Sequence, residues 1–581
     1  MKYFGLLLIS LTMTLPCYSQ SSQKQTYCNP LDIGYKYQKL HKDKHLSYRS
    51  GADPVIIRYK GSFYLFATNS EGWWRSTDLS HWKFIKPDLW PKVHVNAPAV
   101  SVVHDTVFLY QSGRAPLFYS TDPAHGELKY YNHMMPKVPD APGPVDPDIF
   151  HDKVSNKWYM YFGSSNLYPI YGIQLDYAKE LAYIGEPRGL VKLHPEKHGW
   201  ERFGYDHRDT TIKPFIEGAW MTRHAGTYYL QYAAPGTEYN VYANGTYTGK
   251  SPMGPFTYAP NNPVSYKPGG FVTGTGHGNT FKDEFGNYWN TGTCWIGVNW
   301  HFERRIVMFP SEFDKNGEYH ADTRFGDFPH YIPDKKWNNS KSLFTGWMLL
   351  SYNKPTTASS VRDTFRTSNV IDENPRTFWV AKTNHKGEWL KVDLRHQDTV
   401  KAVQVNYADY KSDIYHSGPY VYTQFKLYAS KDGKKWVKIA DLTHDKKDRP
   451  DAYIQLEKPV LARYIKFVNV YVPTRNLAIS DIRVFGNGNG SMPGTPEKVS
   501  VIREHDRRNA RVKWSPVKNA VGYNILWGIH KHKLYETYQI FAGKSHSKEI
   551  RSLDKGQDYY FTIETFNENG VSKVSKVVHV K

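Results

Sequence analysis

Cysteine is scarce in this chain of 581 residues, with three in all, at positions 17, 28 and 294. So few exclude a disulfide framework, and their spacing matches no Cys/His metal motif. Beyond the N-terminus no apolar run reaches the about 18 residues that a membrane-spanning helix needs. Dense basic runs and nucleic-acid motifs are also missing, although the formal charge is +20. Lysine and arginine are spread along the chain, which reads as a solvated basic surface and sets nucleic acid aside. An acidic glycan is the alternative partner for that charge.

What is present is aromatic. Tyr, Trp and Phe make up 15% of residues, with 45 Tyr and 17 Trp. That suits β-sheets and equally suits sugar binding, where flat rings stack on pyranose and furanose faces. The length points to roughly three or four domains. At the start, Met1-Lys2 precedes an apolar run from Tyr3 to Leu15 and then Pro16-Cys17-Tyr18-Ser19-Gln20. A short basic start, a core of that length and small residues at its end describe a secretory signal over 1–19. The expectation is an exported protein, periplasmic or secreted. A lipid anchor through Cys17 is the alternative, poorly supported by Thr14-Leu15-Pro16 ahead of it. Cys28 and Cys294 then remain, and their pairing is left open.

A repeat runs through the first 345 residues. A polar leader precedes an apolar stretch, a turn comes next, and an aromatic pair arrives about eleven to thirteen residues on. Asp53 leads to Phe63-Tyr64, Asn96 to Phe108 and Tyr110, Asp146 to Trp158-Tyr159, Glu217 to Tyr228-Tyr229, and His277 to Tyr288-Trp289. Five copies of a short multi-strand unit with few helical stretches between them predict an all-β, five-bladed propeller. If each leader sits at one end of an innermost strand, all five converge on one mouth of the channel. A lone Asp-Pro is usually a turn cap. Two Asp, a Glu and a His in equivalent places suit acid–base chemistry, because crowded carboxylates raise one another's pKa. Glycosidic hydrolysis needs such a set, one carboxylic acid for the leaving oxygen and one carboxylate for water or direct attack.

At Ala52-Asp53-Pro54, Val145-Asp146-Pro147-Asp148-Ile149-Phe150, Ile216-Glu217-Gly218-Ala219-Trp220 and Gly276-His277-Gly278 the sequence resembles glycoside hydrolase family 43. The resemblance spans roughly residues 45–335. It implies Asp53 as general base, Glu217 as general acid, and Asp146 as the carboxylate that orients Glu217 and tunes its pKa, with Asp148 a rival for that third role. It implies an inverting single displacement with water between base and acid. His277 resembles the family's axial histidine, which in some members helps hold an ion. Trp73, Trp74, Asn96, Trp220 and Arg304 are the candidate substrate contacts. Two departures, Asn96 for the usual Trp and Ala219 for the usual Pro, leave the sugar open. No cofactor is expected for the chemistry.

Residues 346–487, from Asn353-Lys-Pro-Thr-Thr-Ala through Asn369–Trp379 to Ile479–Gly486, resemble a discoidin-type jelly roll, the class that includes family 32 carbohydrate-binding modules. The resemblance implies a structural calcium on Asp372, Thr377 and Asp481. Tyr407, Tyr410 and Tyr415 are candidates for a sugar platform. A Gly- and Pro-rich linker comes next, at 488–496. Residues 497–581 resemble a fibronectin type III sandwich, with Trp514 in the core and Tyr559 as a tyrosine corner.

The expectation is therefore an exported exo-glycosidase acting on plant-type polysaccharide or oligosaccharide. Arabinofuranoside leads, with xyloside or galactoside as alternatives and a non-catalytic sugar-binding propeller as the rival class. A retaining, fructosidase-like enzyme is disfavoured because Ala52, not Asn, precedes Asp53. Sequence leaves the oligomeric state open.

Overall fold

The computed structural model describes residues 23–40, 43, 45–90, 96–113, 116–132, 142–415, 418–543 and 545–581. The expected signal segment 1–19, Cys17 included, lies outside them. The described residues contain no α-helix, only strands and short 3-10 turns.

Five four-stranded antiparallel sheets succeed one another in the first module. Their innermost strands are Val55–Tyr59, Ala99–Val103, Asp148–Asp152, Glu217–His224 and Thr280–Lys282. Each sheet lies between two neighbours, so alternate residues of its middle strands are buried on opposite faces. Trp73 packs with blade two on one face, and Trp74 packs with blade five on the other. Both rings are almost fully buried, and the Trp73 indole N–H donates to the Pro123 carbonyl at 2.9 Å. The sequence expectation that they contact substrate is thus corrected. They are blade packing, and truncating such a side chain costs about 3–5 kcal/mol.

The leader pattern holds in three blades and shifts by one residue in two. Asp53, Ala97, Asp146 and His277 all sit at positive φ, between 43° and 53°, just ahead of the innermost strand. The residue of blade two equivalent to Asp53 is therefore Ala97, with Pro98 after it as Pro54 stands after Asp53. Asn96 stands one place early and is exposed. In blade four the positive φ falls on Gly218, and a register shift between Glu217 and Trp220 turns the Glu217 side chain inward. A Cβ on Gly218 would lie 2.8 Å from the His277 ring, so only glycine lets the two come together there.

The second module is one eight-stranded antiparallel system in which two long strands, Trp389–Tyr407 and Asp451–Tyr471, bend at register shifts and serve both faces of a jelly roll. Tyr407 is buried in its core and Tyr410 packs on Phe365 and Phe378, which removes both from a sugar platform; Tyr415 is the exposed one. The third module pairs sheets of three and five strands as an immunoglobulin-like sandwich. Trp514 is in its core, and the Tyr559 hydroxyl accepts the Asp554 backbone N–H at 3.0 Å. Cys28 and Cys294 are both buried and free.

The modules are fastened to one another by buried charge. Arg49 of the propeller, 1% exposed, donates to Asp409 at 2.8 Å and to Asp448 at 2.5 Å, both in the jelly roll. Arg305, next to Arg304 in the chain, pairs with Asp409 and Asp451 and so belongs to this interface. The Gly/Pro segment after residue 487 is also tied down: Gly488 N–H donates to the Glu568 carbonyl at 2.7 Å, and the Asn567 amide to that of Ser491 at 3.0 Å.

Candidate active site

Three carboxylates and an imidazole meet at one mouth of the propeller. The Nδ1 of His277 lies 3.2 Å from Asp53 Oδ1 and 3.8 Å from Asp146 Oδ2, and Arg304 Nη1 lies 3.8 Å from Asp53 Oδ1. The Thr68 hydroxyl donates to Asp53 Oδ2 at 2.5 Å. Glu217 is held at both oxygens, by the Tyr242 hydroxyl at 2.5 Å and the Ser164 hydroxyl at 2.9 Å.

A second layer fixes the leaders. Backbone N–H groups of Asp53, Ala97, Asp146 and His277 donate to side-chain oxygens of Thr293, Thr68, Ser112 and Asn244, each from the preceding blade around the ring. Thr68 thus accepts from Ala97 and donates to Asp53, which orients the Asp53 carboxylate from two blades at once. These partners were missed in the sequence because they arrive from strands distant along the chain. Asp148 is also part of this scaffold. Its Oδ2 accepts the Met221 N–H at 2.7 Å, tying blade three to the strand that carries Glu217.

The environments drive the carboxyl groups apart. Burial raises the Asp53 pKa, but His277, Arg304 and the Thr68 hydroxyl together bring it below the ordinary 3.8. Asp146 goes the other way, to about 7, because burial and the charges of Glu217 and Asp53 outweigh the pull of His277. Burial lowers the His277 pKa, yet Asp53, Asp146 and Glu217 raise it above its ordinary value. The site therefore holds an ionised carboxylate beside a carboxyl that keeps its proton near neutrality, which is the division of labour that general acid–base chemistry needs.

Other sequence candidates sort clearly. His277 and Arg304 are in the site. Trp220 is half-buried, donates its indole N–H to the Thr280 carbonyl at 3.2 Å, and packs on the cluster of blades one and two. Glu238 is a fourth acid that sequence reasoning did not single out; burial first, and then the Glu217 charge, raises its pKa, while Arg304 lowers it. Leu167 and Tyr168, a few residues after Ser164 in the chain, are exposed apolar residues.

Residues 47–318 match the family model "Glycosyl hydrolases family 43", and residues 355–480 match "F5/8 type C domain". Among solved structures, the chain is similar to one titled "Glycoside hydrolase", at 19% identity and TM-score 0.44, covering 75% of this chain and 97% of that one. It is also similar to an exo-1,5-alpha-L-arabinanase from a bovine ruminal metagenomic library, at 18% identity and TM-score 0.36, covering 47% and 97%. A xylan beta-1,4-xylosidase from Bacillus halodurans C-125 is similar over 95% of this chain and 96% of its own, at 13% identity and TM-score 0.40. No curated protein matches the chain. Residues 47–318 thus form a region matching glycoside hydrolase family 43, a family of enzymes that hydrolyse O-glycosyl bonds with inversion, joined to a region matching the F5/8 type C domain at 355–480.

Proposed function

We propose that the protein is an exported exo-glycosidase that removes terminal sugars from plant-type glycans, with Asp53 as base, Glu217 as acid and Asp146 as the group that orients the acid and sets the site's proton affinity. The observation that carries this reading is the opposed proton affinity of Asp53 and Asp146 around one imidazole. Asp53 takes a proton from water as the water attacks the anomeric carbon. Glu217 gives its proton to the departing oxygen, and Ser164 and Tyr242 take up the charge that is left. The preference for α-L-arabinofuranoside over β-D-xyloside or β-D-galactoside rests on the family resemblance, as do the exo mode and the export through residues 1–19. A purely sugar-binding propeller would have no use for the paired, oppositely tuned carboxylates. A panel of nitrophenyl arabinofuranoside, xyloside and galactoside tests the reading. Turnover of the arabinofuranoside above the other two supports it, and no turnover of any of them would sink the hydrolase assignment of this site.

The shifts set the pH profile. Asp53, with its pKa below 3.8, stays ionised through the mildly acidic and neutral range. Asp146 keeps its proton up to about pH 7, and its titration is tied to that of the neighbouring His277. Activity should hold between about pH 4 and 6 and fall as pH rises through about 7, when that proton is lost. Asp146→Asn removes the carboxyl that holds this proton, so the falling limb of kcat/KM near pH 7 should be displaced or lost. A limb unmoved in that variant would assign the proton to another group.

In the F5/8 type C domain, Asp481 is fully buried and both of its carboxylate oxygens lack a hydrogen-bond partner. Nearby Asp372 has only the Thr377 hydroxyl, at 2.7 Å, and two backbone or turn contacts. An orphaned buried carboxylate next to hard oxygen donors fits calcium, which Asp372, Thr377 and Asp481 would hold as a structural ion. An ion on His277 fits less well, because Nδ1 already faces two carboxylates. The hydrolytic chemistry itself runs on protein groups. The domain's role is proposed as carbohydrate binding, and the third module, whose strand order and Tyr559 hydroxyl bond support a fibronectin type III reading, as a buttress.

A further inference from the structure

The site continues outward along an aromatic wall. Glu238, beside Glu217 and Arg304, adjoins Tyr239, whose ring lies 5.5 Å from that of Tyr205. Tyr205, 45% exposed, lies 5.5 Å from Trp295, which shares a strand face with the Asp53 partner Thr293. Over Trp295, at 4.2 Å from its ring, sits the guanidinium of Arg376, contributed by the F5/8 type C domain. The wall is held from behind as well. Asp206, next to Tyr205 and at φ 49°, accepts from Tyr538 and Lys548 of the third module, each at 2.8 Å. All three modules therefore build one edge of the catalytic mouth.

Arg376 is the unexplained member. The buried arginines Arg49, Arg305 and Arg483 each face a carboxylate, whereas no acidic side chain among the described residues pairs with Arg376. Its Nη1 is buried without a hydrogen-bond partner, and burial lowers its pKa. Stacking on Trp295 uses the face of the guanidinium, so its planar fork of N–H donors, Nη1 among them, still has hydrogen bonds to give. That fork matches a carboxylate, and the aromatic rings beside it match sugar faces.

We propose that this wall is a subsite for the leaving-group side of the substrate, and that Arg376 binds the carboxylate of a uronic acid carried there. The proposal rests on the glycosidase reading for its placement in a reaction, but the binding it requires does not. It also gives the +20 charge of the chain a partner of matching chemistry.

The test uses the full-length protein, with D-glucuronate as the probe and D-glucose as its neutral counterpart, titrated by calorimetry and by saturation-transfer NMR. Glucuronate is expected to bind at least about tenfold more tightly than glucose, more weakly as salt is added. Arg376→Gln should abolish that preference at an unchanged unfolding temperature, and Arg376→Lys should restore part of it. Equal binding of the two sugars, or a glucuronate preference that survives Arg376→Gln, would overturn the proposal. Inactivity of the wild-type protein on the nitrophenyl panel would instead count against the hydrolase reading and leave this result standing.

Discussion

Glu217→Gln is expected to lower kcat/KM on an alkyl glycoside or oligosaccharide by about 10²–10⁴-fold, the usual worth of a positioned proton donor. The fold should be unaffected. Glutamine keeps the side-chain length and offers both an acceptor and a donor to Tyr242 and Ser164, which now hold the two carboxyl oxygens. What it cannot do is release a proton. Asp53→Asn should cost a similar factor for the complementary reason, since the amide still meets Thr68 but cannot accept a proton from water. Removing both should cost little more than removing one, because acid and base act in a single step.

The second large effect is on stability. Arg49→Ala should destabilise the protein by about 3–5 kcal/mol, the cost of leaving buried charge without its partner. Asp409 and Asp448, both on the jelly-roll side, would be left buried at the interface with Arg305 alone to offset them. Calorimetry should show the propeller and jelly roll unfolding in separate steps where the wild type unfolds them together. Neutralising Arg49 with both of its partners, as Arg49→Met with Asp409→Asn and Asp448→Asn, and leaving Arg305 paired with Asp451, should recover most of the loss, because the penalty arises from unpaired charge and not from lost packing. A loss as large in the triple variant as in Arg49→Ala would show that packing carries the interface.

The clustering of three carboxylates was legible in the sequence because a propeller repeats its register, so Asp53, Asp146 and Glu217 could be aligned by the apolar strand and aromatic pair that each of them leads. The same alignment slipped by one at Asn96. In blades one and three a proline comes directly after the leader, and in blade two that proline comes after Ala97. Trp73 and Trp74 misled for a different reason. On a sheet with one open face one of two adjacent tryptophans must reach solvent, but a blade is covered on both sides and buries each. The clamps from Thr68, Ser112, Asn244 and Thr293 were invisible because nothing local marks a side chain that bonds to the next blade. Arg376 was less legible still, since its partner Trp295 lies 81 positions earlier and in another module.

The most direct test of the site compares two substrates that differ only in how much the leaving group needs a proton. A 2,4-dinitrophenyl glycoside departs without one, and the corresponding alkyl glycoside does not. For Glu217→Gln the loss in kcat/KM should be large on the alkyl glycoside and small on the dinitrophenyl glycoside, whereas Asp53→Asn should lose equally on both. An equal loss on both substrates in Glu217→Gln would contradict its assignment as the acid, and with it the division of roles drawn from this site.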